Sequence, residues 1–156
     1  CGGRTVSGEA RGASGGAPTA TGNMVALRVA HQTGFDRLTF EFMGAGVPAF
    51  TITSQAGTRF AQAASGLPVD VRGKSGIKVV FHGASERDLS GNPTYTGNND
   101  IILAPAVGSA NAVAELRQVG DFERVLSWAV GLSSGTACTR VLQLNSPSRL
   151  VIDVQP

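Results

Sequence analysis

Two stretches decide the fold, Asp36-Arg-Leu-Thr-Phe-Glu-Phe42 and Ser148-Arg-Leu-Val-Ile-Asp-Val154, which echo each other across the chain. Each has Arg-Leu near its start, then alternating apolar residues, and then an acid. Successive side chains of a β-strand point to opposite faces, so alternation with a period of two predicts a strand with one buried face. We therefore predict that both stretches are strands whose apolar side chains face a core.

The same period of two recurs along the chain beyond Asn23, and Gly, Pro and Asn residues that favour turns separate the runs. Many short strands joined by such turns are typical of a sandwich or a barrel. We predict an all-β fold, a β-sandwich of two small sheets. The Ala-rich stretch 107–116 is also compatible with a turn or more of helix. Further strands are predicted at 50–53, 77–82, 113–119, 125–132 and 141–144.

The first 22 residues are almost all Gly, Ser, Ala, Thr and Pro, and they show no hydrophobic periodicity. A segment of this composition cannot bury enough apolar surface to offset the entropy of ordering it. We predict a disordered, flexible leader over residues 1–22 and one folded domain over residues 23–156.

The chain starts with Cys1 rather than Met, and the flexible leader follows it directly. This arrangement resembles the mature start of a bacterial lipoprotein. We expect Cys1 to carry the lipid, so that the protein is anchored at the extracytoplasmic face of the cell envelope. The alternatives are that Cys1 is the first residue of a trimmed chain, or that it forms a disulfide with Cys138, which excludes acylation.

Composition excludes several classes of function. Charged residues make up 15% of the chain, and the net charge is +2 with the basic residues scattered, so nucleic acid is not expected as a partner. No apolar run approaches the about 18 to 20 residues of a transmembrane helix. The cysteines lack a CxxC spacing, and the oxygens of the loop 83–100 match no calcium motif, so we expect neither a metal nor a cofactor.

An ordered set of short motifs resembles the AMIN-like domain of bacterial envelope lipoproteins, over about Val25 to Val154. The motifs are His31–Phe42, Gly46–Phe50, Pro93–Gly97, Gly120–Glu123, Trp128–Leu132 and Ser148–Val154. The resemblance implies a small β-sandwich, because AMIN domains are sandwiches found beside N-acetylmuramoyl-L-alanine amidases. It also implies a role in placing partners at the cell wall by binding peptidoglycan or an envelope protein. It supplies no catalytic residues.

Six residues are candidates for a binding site. We expect four of them, Asp36, Arg37, Arg149 and Asp153, on the outward faces of the two echoing strands, where they form cross-strand ion pairs. Alternatively, Arg37 or Arg149 binds a carboxylate of a wall polymer through its planar guanidinium. The loop residue Tyr95 is expected to contact a ligand, whereas Trp128 shares the parity of the core positions. The six candidates are His31, Asp36, Arg37, Tyr95, Arg149 and Asp153.

We expect a binding module rather than an enzyme, with two alternatives. A carrier of a small apolar molecule would need a pocket larger than about 300 Å³ lined by Phe residues. A hydrolase would need His31 with Asp36 or Asp121 in an open cleft. We expect His31 instead to cap a strand or bond Asp36, and His82 to lie outward at a strand end.

Overall fold

The computed structural model describes residues 4–7, 13–17 and 21–156. Every regular element in this part of the chain is a β-strand, which confirms the predicted fold class. None of the described residues forms a helix long and apolar enough to span a bilayer. The strands are β1 (Arg4–Ser7), β2 (Ala13–Gly15), β3 (Gly22–His31), β4 (Asp36–Met43), β5 (Ala49–Gln55), β6 (Arg59–Ala61), β7 (Pro68–Asp70), β8 (Ser75–His82), β9 (Ala84–Ser85), β10 (Asp100–Ile102), β11 (Val113–Phe122), β12 (Val125–Leu132), β13 (Thr136–Leu144) and β14 (Ser148–Gln155).

The described strands form two six-stranded sheets and a two-stranded ribbon. The first sheet has the order β1-β13-β14-β4-β3-β9, and the second has the order β10-β11-β12-β8-β5-β2. Neighbouring strands are antiparallel except for the short pair β3–β9. Antiparallel sheets can bury one face and leave the other in water, which is why the period-two pattern was so regular.

The two echoing stretches are β4 and β14, and they lie side by side at the centre of the first sheet. Their register places Phe40 opposite Leu150 and Leu38 opposite Ile152. All four side chains are fully buried between the sheets. The echo therefore reflects two neighbouring strands that each bury one row of apolar residues.

The core between the sheets is filled by aromatic and branched side chains. The ring of Phe40 meets the Phe81 ring edge-on, with 5.2 Å between centroids, and lies 6.3 Å from that of Trp128. Trp128 is fully buried, as its parity predicted. Each such side chain stabilises the fold by about 1.5 to 3 kcal/mol when it leaves water.

The ribbon of β6 and β7 covers the outward face of the second sheet. Phe60 of β6 and the following Val71 form a separate buried cluster there with Val119 and Ala129. The first sheet has no such ribbon among the described elements.

The stretch 107–116 forms no helix, so that expectation was wrong. Asn111 has a positive φ of 49°, and its side chain closes a turn by accepting from the backbone N of Ala106 at 2.8 Å and donating to its carbonyl at 2.9 Å. From Val113 onward the chain pairs with β12 as strand β11. Local hydrogen bonding and sheet pairing thus override the helical propensity of alanine.

Part of the expected leader is described as strand. Within residues 1–22, β1 pairs with β13, and β2 pairs with β5. These short pairings involve backbone groups, which the composition of the segment does not reveal. Residues 1–3, 8–12 and 18–20 lie outside the described residues, so the tether over residues 1–22 stays a prediction.

Candidate functional site

The outward face of the first sheet carries two rows of charged side chains. In one row, Asp153 of β14 lies between Arg37 of β4 and Arg140 of β13. In the other row, Arg149 of β14 lies opposite Glu41 of β4. Because the apolar residues of the same strands occupy the inward positions, alternation forces these charges outward.

Arg37 and Asp153 form a two-pronged ion pair. Arg37 Nε donates to Asp153 Oδ1 at 2.6 Å, and its Nη2 donates to Oδ2 at 2.8 Å. The hydrogen bonding of Arg37 to the Asp153 carboxylate raises the pKa of Arg37 above its ordinary value. Asp153 thus occupies the fork of the guanidinium, and the expected cross-strand ion pair is confirmed for these two residues.

Arg37 also lies over the ring of Phe35, with 5.3 Å from its Cζ to the ring centroid. Together with Arg140 and Asp153 these residues line a surface depression of about 360 Å³. The remaining described lining residues are Cys138, Thr139 and Gln155. Phe35 is the one Phe among these residues, so this depression does not match the Phe-lined pocket expected of an apolar carrier.

The face carries more positive than negative charge. Arg28 of β3 pairs with Glu41, while in the described residues neither Arg140 nor Arg149 forms an ion pair. Arg149 Nε donates to the carbonyl of Pro147 at 3.3 Å. We define the arginine face as Arg28, Arg37, Arg140 and Arg149 with Glu41 and Asp153, which leaves an excess of two positive charges.

Asp36 does not lie on this face, which corrects its expected outward position. Its side chain is fully buried. Its Oδ2 accepts from the backbone N of Val113 at 2.8 Å, and its Oδ1 lies 2.7 Å from Nδ1 of His31. A carboxylate with two partners can occupy an inward position that alternation alone assigns to an apolar residue.

His31 bonds Asp36, as we predicted. Its Nε2 lies 3.2 Å from the carbonyl O of Ala104 in the segment between β10 and β11. Both ring nitrogens therefore face protein oxygens, and the ring ties the β3–β4 hairpin to that segment. Asp121 lies elsewhere, where its Oδ2 accepts from Ser85 Oγ and from the backbone N of Glu86. The open His-centred cleft required for the hydrolase alternative is not formed by these residues.

Tyr95 is buried rather than exposed at a binding rim, which contradicts the reason for choosing it. It is 9% exposed, and its ring centroid lies 6.2 Å from that of Trp128. Its hydroxyl donates to the carbonyl of Asn98 at 2.8 Å. The sequence of this long polar loop does not show that the loop folds back over the core, so the burial of Tyr95 could not be predicted from it. His82 is exposed at the end of β8, as expected.

Sequence reasoning missed Arg140 and Phe35 as members of the site. Arg140 follows a buried Thr139 and precedes the inward Val141, so parity within β13 could have placed it outward. Phe35 lies in the turn before β4, where no periodic signal exists.

Asp88 of the oxygen-rich loop 83–100 uses its carboxylate within the loop. Asp88 accepts from the backbone N of Ser90 at 2.8 Å and from that of Asn92 at 2.9 Å. These hydrogen bonds, chiefly with Asn92, lower the pKa of Asp88. No group of three or more His, Cys, Asp or Glu in the described residues is arranged to hold a metal ion.

Cys138 is disulfide-bonded. The chain has one other cysteine, Cys1, the expected site of lipid attachment, and this residue lies outside the described residues.

The ordered motifs, the two antiparallel sheets and the echoing central strands agree with one family. The family model of the AMIN-like domain matches residues 22–156. The chain belongs to the AMIN-like domain family. AMIN-like domains occur in cell-envelope proteins, so this one is an envelope-associated module. No curated protein and no solved structure matches the chain significantly.

Proposed function

We propose that this AMIN-like domain is a non-catalytic localisation module that binds an anionic cell-wall polymer such as peptidoglycan through its arginine face. The observation that carries the proposal is the row Arg140–Asp153–Arg37, with Arg149 beside it, on the sheet face that no described ribbon covers. Guanidinium groups bind carboxylates with two parallel hydrogen bonds, and the stem peptides of peptidoglycan carry carboxylates.

Arg37 has a positioning role in this proposal, because Asp153 already occupies its fork. Arg140 and Arg149 supply the donors for the polymer. Each exposed contact contributes little by itself, so binding depends on Arg140 and Arg149 acting together.

The proposed location at the outer side of a bacterial membrane includes a lipid anchor at Cys1. A disulfide at Cys138 and a thioether at Cys1 are alternative states of a chain with two cysteines. Both states agree with a compartment outside the cytoplasm, because disulfides persist in oxidising environments. Intact-mass analysis of the membrane fraction distinguishes them: added acyl mass supports the anchor, whereas an unacylated chain that gains two hydrogens on reduction contradicts it.

The binding role is tested by sedimentation with purified, insoluble peptidoglycan. We expect the wild type to co-sediment, and we expect Arg140→Ala combined with Arg149→Ala to remain largely in the supernatant. Arg59→Ala is the matched control, since Arg59 lies in the ribbon, is 70% exposed and is distant from the arginine face in the fold. Equal sedimentation of the wild type and the double variant would contradict the proposal.

A further inference from the structure

Three strands end on a large apolar side chain that is exposed to solvent. Met43 is the last residue of β4, Phe122 of β11 and Leu144 of β13. These residues are 60%, 57% and 38% exposed, respectively. Single exposed apolar residues are ordinary on a protein surface, whereas several together mark a surface that contacts a partner or a membrane.

The three residues lie at the same end of the sandwich. β4 and β13 run in the same direction, because both are antiparallel to β14, which lies between them. The turn after Phe122 reaches the same end, where Arg124 Nη2 donates to Asn23 Oδ1 at 2.9 Å. Asn23 lies directly opposite Met43 in the first sheet. We define the apolar end as Met43, Phe122 and Leu144.

Hydrogen bonds fix the backbone on both sheets at the apolar end. The β11–β12 turn holds two non-glycine residues at positive φ, Glu123 at 48° and Arg124 at 58°. This conformation is unfavourable for such residues, so the hydrogen bonds of Arg124 stabilise it. In the first sheet, Ser148 Oγ accepts from the backbone N of Gly46 and donates to the carbonyl of Gly44, both at 2.9 Å.

The turns next to the apolar end carry little charge. The β4–β5 turn, 44–48, is Gly-Ala-Gly-Val-Pro, and the β13–β14 turn, 145–147, is Asn-Ser-Pro. The β11–β12 turn carries one acid and one base, Glu123 and Arg124. Contact of this end with an apolar phase therefore avoids the large cost of removing an unpaired charge from water.

Positive charge adjoins the apolar end. Arg149 lies directly opposite Leu144 in the first sheet. It belongs to the arginine face, which has an excess of two positive charges. Apolar side chains that enter the lipid, with basic side chains beside them, are typical of protein surfaces that lie on anionic bilayers.

The direction of β1 agrees with a bilayer at this end. β1 is antiparallel to β13, so its first residue, Arg4, is the one nearest the Leu144 end of β13. Cys1 is three residues before Arg4, a reach of about 10 Å at most. A lipid at Cys1 would therefore start on the side of the domain that faces the apolar end. This support rests on the proposed anchor, whereas the exposed side chains do not.

We propose that the apolar end inserts into the surface of an anionic bilayer, with Met43, Phe122 and Leu144 entering the interface between headgroups and acyl chains. The three side chains project from separate strand ends and do not line one groove. That arrangement suits a soft lipid surface better than the rigid surface of a protein partner. The neighbouring arginine face attracts the negative headgroups.

The test is sedimentation of the unacylated full chain with phosphatidylglycerol vesicles, with phosphatidylcholine vesicles as the matched probe without net charge. We expect the wild type to bind phosphatidylglycerol vesicles and to bind phosphatidylcholine vesicles at least tenfold more weakly. The triple variant Met43→Ser, Phe122→Ser, Leu144→Ser should bind phosphatidylglycerol at least tenfold more weakly than the wild type.

Val107→Ser is the matched control and should bind like the wild type. Val107 is fully exposed, and it lies in the segment whose Ala104 carbonyl is 3.2 Å from His31. His31 is the last residue of β3, whereas Asn23, near the start of β3, lies at the apolar end. The control therefore removes an apolar side chain at the opposite end of the sandwich.

A fluorescent variant measures insertion separately from folding of the triple variant. Phe122→Trp adds an indole at the apolar end, while Trp128 stays buried in the core. On phosphatidylglycerol vesicles we expect its emission to shift to the blue and to be quenched by brominated acyl chains. Val107→Trp should show neither change.

Absence of wild-type binding, equal binding of the triple variant, equal binding to both lipids, or an unquenched Phe122→Trp would overturn the proposal. So would a wild-type dimer that the triple variant loses in the absence of lipid, because the apolar end would then join two copies of the chain. The triple variant should still sediment with peptidoglycan, since it keeps the arginine face. Failure of this proposal and failure of polymer binding are therefore distinguishable.

Discussion

Gly131 of β12 lies directly beneath the backbone carbonyl of Arg72. A β-carbon at position 131 would come within 1.8 Å of that oxygen. The absence of a side chain at Gly131 allows the segment that follows the ribbon, at Arg72, to pack against the second sheet. This contact lies next to the cluster that contains Phe60 and Val71. A backbone oxygen cannot move aside as a flexible side chain can.

Gly131→Ala should therefore destabilise the domain by about 3 kcal/mol, at the upper end of overpacking effects. Urea denaturation followed by tryptophan fluorescence measures this loss, since Trp128 is in the same strand. Gly135→Ala is the control, because a β-carbon there meets nothing within 4 Å, and its stability should be close to that of the wild type. A neutral Gly131→Ala would mean that the ribbon is not held at this point.

Asp36→Asn should also destabilise the fold, by about 3 kcal/mol. The carboxylate accepts from both Val113 N and His31, whereas asparagine offers one acceptor oxygen and turns its NH₂ group toward the other donor. Asp70→Asn is the matched control, because its ion pair with Arg59 is exposed and contributes less than about 1 kcal/mol. Equal urea midpoints for the two variants would show that the buried carboxylate is dispensable.

Glu115→Gln should stabilise the domain at neutral pH. Burial raises the pKa of Glu115, and the hydrogen-bonded Asp100 raises it further. A carboxyl whose folded-state pKa is raised stabilises the fold below its unfolded-state pKa, and it loses this contribution as the pH rises through the folded-state value. Glutamine can still accept from the backbone N of Arg72, which bonds Glu115 Oε2 at 2.8 Å.

The stability gain of Glu115→Gln over the wild type should therefore grow between pH 4.5 and pH 7.5, measured by urea unfolding at both. Glu123→Gln removes a charge in the exposed β11–β12 turn and should show no such growth. A gain that is the same at both pH values would rule out titration of Glu115 as its source.

Arg37→Lys should cost less than about 1 kcal/mol of stability, since a lysine cannot form the two-pronged pair but the site is partly exposed. The retention of Arg37→Lys on peptidoglycan should be close to that of the wild type in the same sedimentation assay, because Asp153 and not the polymer occupies the fork.

Sedimentation of the wild type at low and high salt tests whether charge drives the binding. Retention should fall at high salt, because salt screens the arginine face. Salt-independent retention would argue against binding through these charges.

Most of the fold could be predicted because alternation is a local signal. The inward Leu38 and Phe40 and the outward Arg37 follow from parity alone, and the antiparallel sandwich follows from many such strands. The two six-stranded orders could not be predicted, because strand partners are chosen by packing between distant parts of the chain. The ribbon of β6 and β7 was also missed, since three-residue strands leave almost no periodic pattern.

The candidate site was predictable only where parity decides exposure. Arg37, Arg149 and Asp153 lie on the expected face. Asp36 has the inward parity of the core. A hydrogen bond from the backbone N of Val113 stabilises its buried carboxylate. Because Val113 is distant in sequence, the local pattern could not predict this partner. Tyr95 could not be placed, because a loop has no period from which to read its burial.

The ribbon covers the outward face of the second sheet, so the two outer faces of the sandwich differ. If a polymer docks on the arginine face, the β6–β7 turn points away from it, and a β-carbon at Gly66 in this turn would meet nothing within 4 Å. A fluorophore or epitope inserted in that turn should stay accessible while the domain is attached to its surface, which makes the turn the natural place for a label in imaging studies.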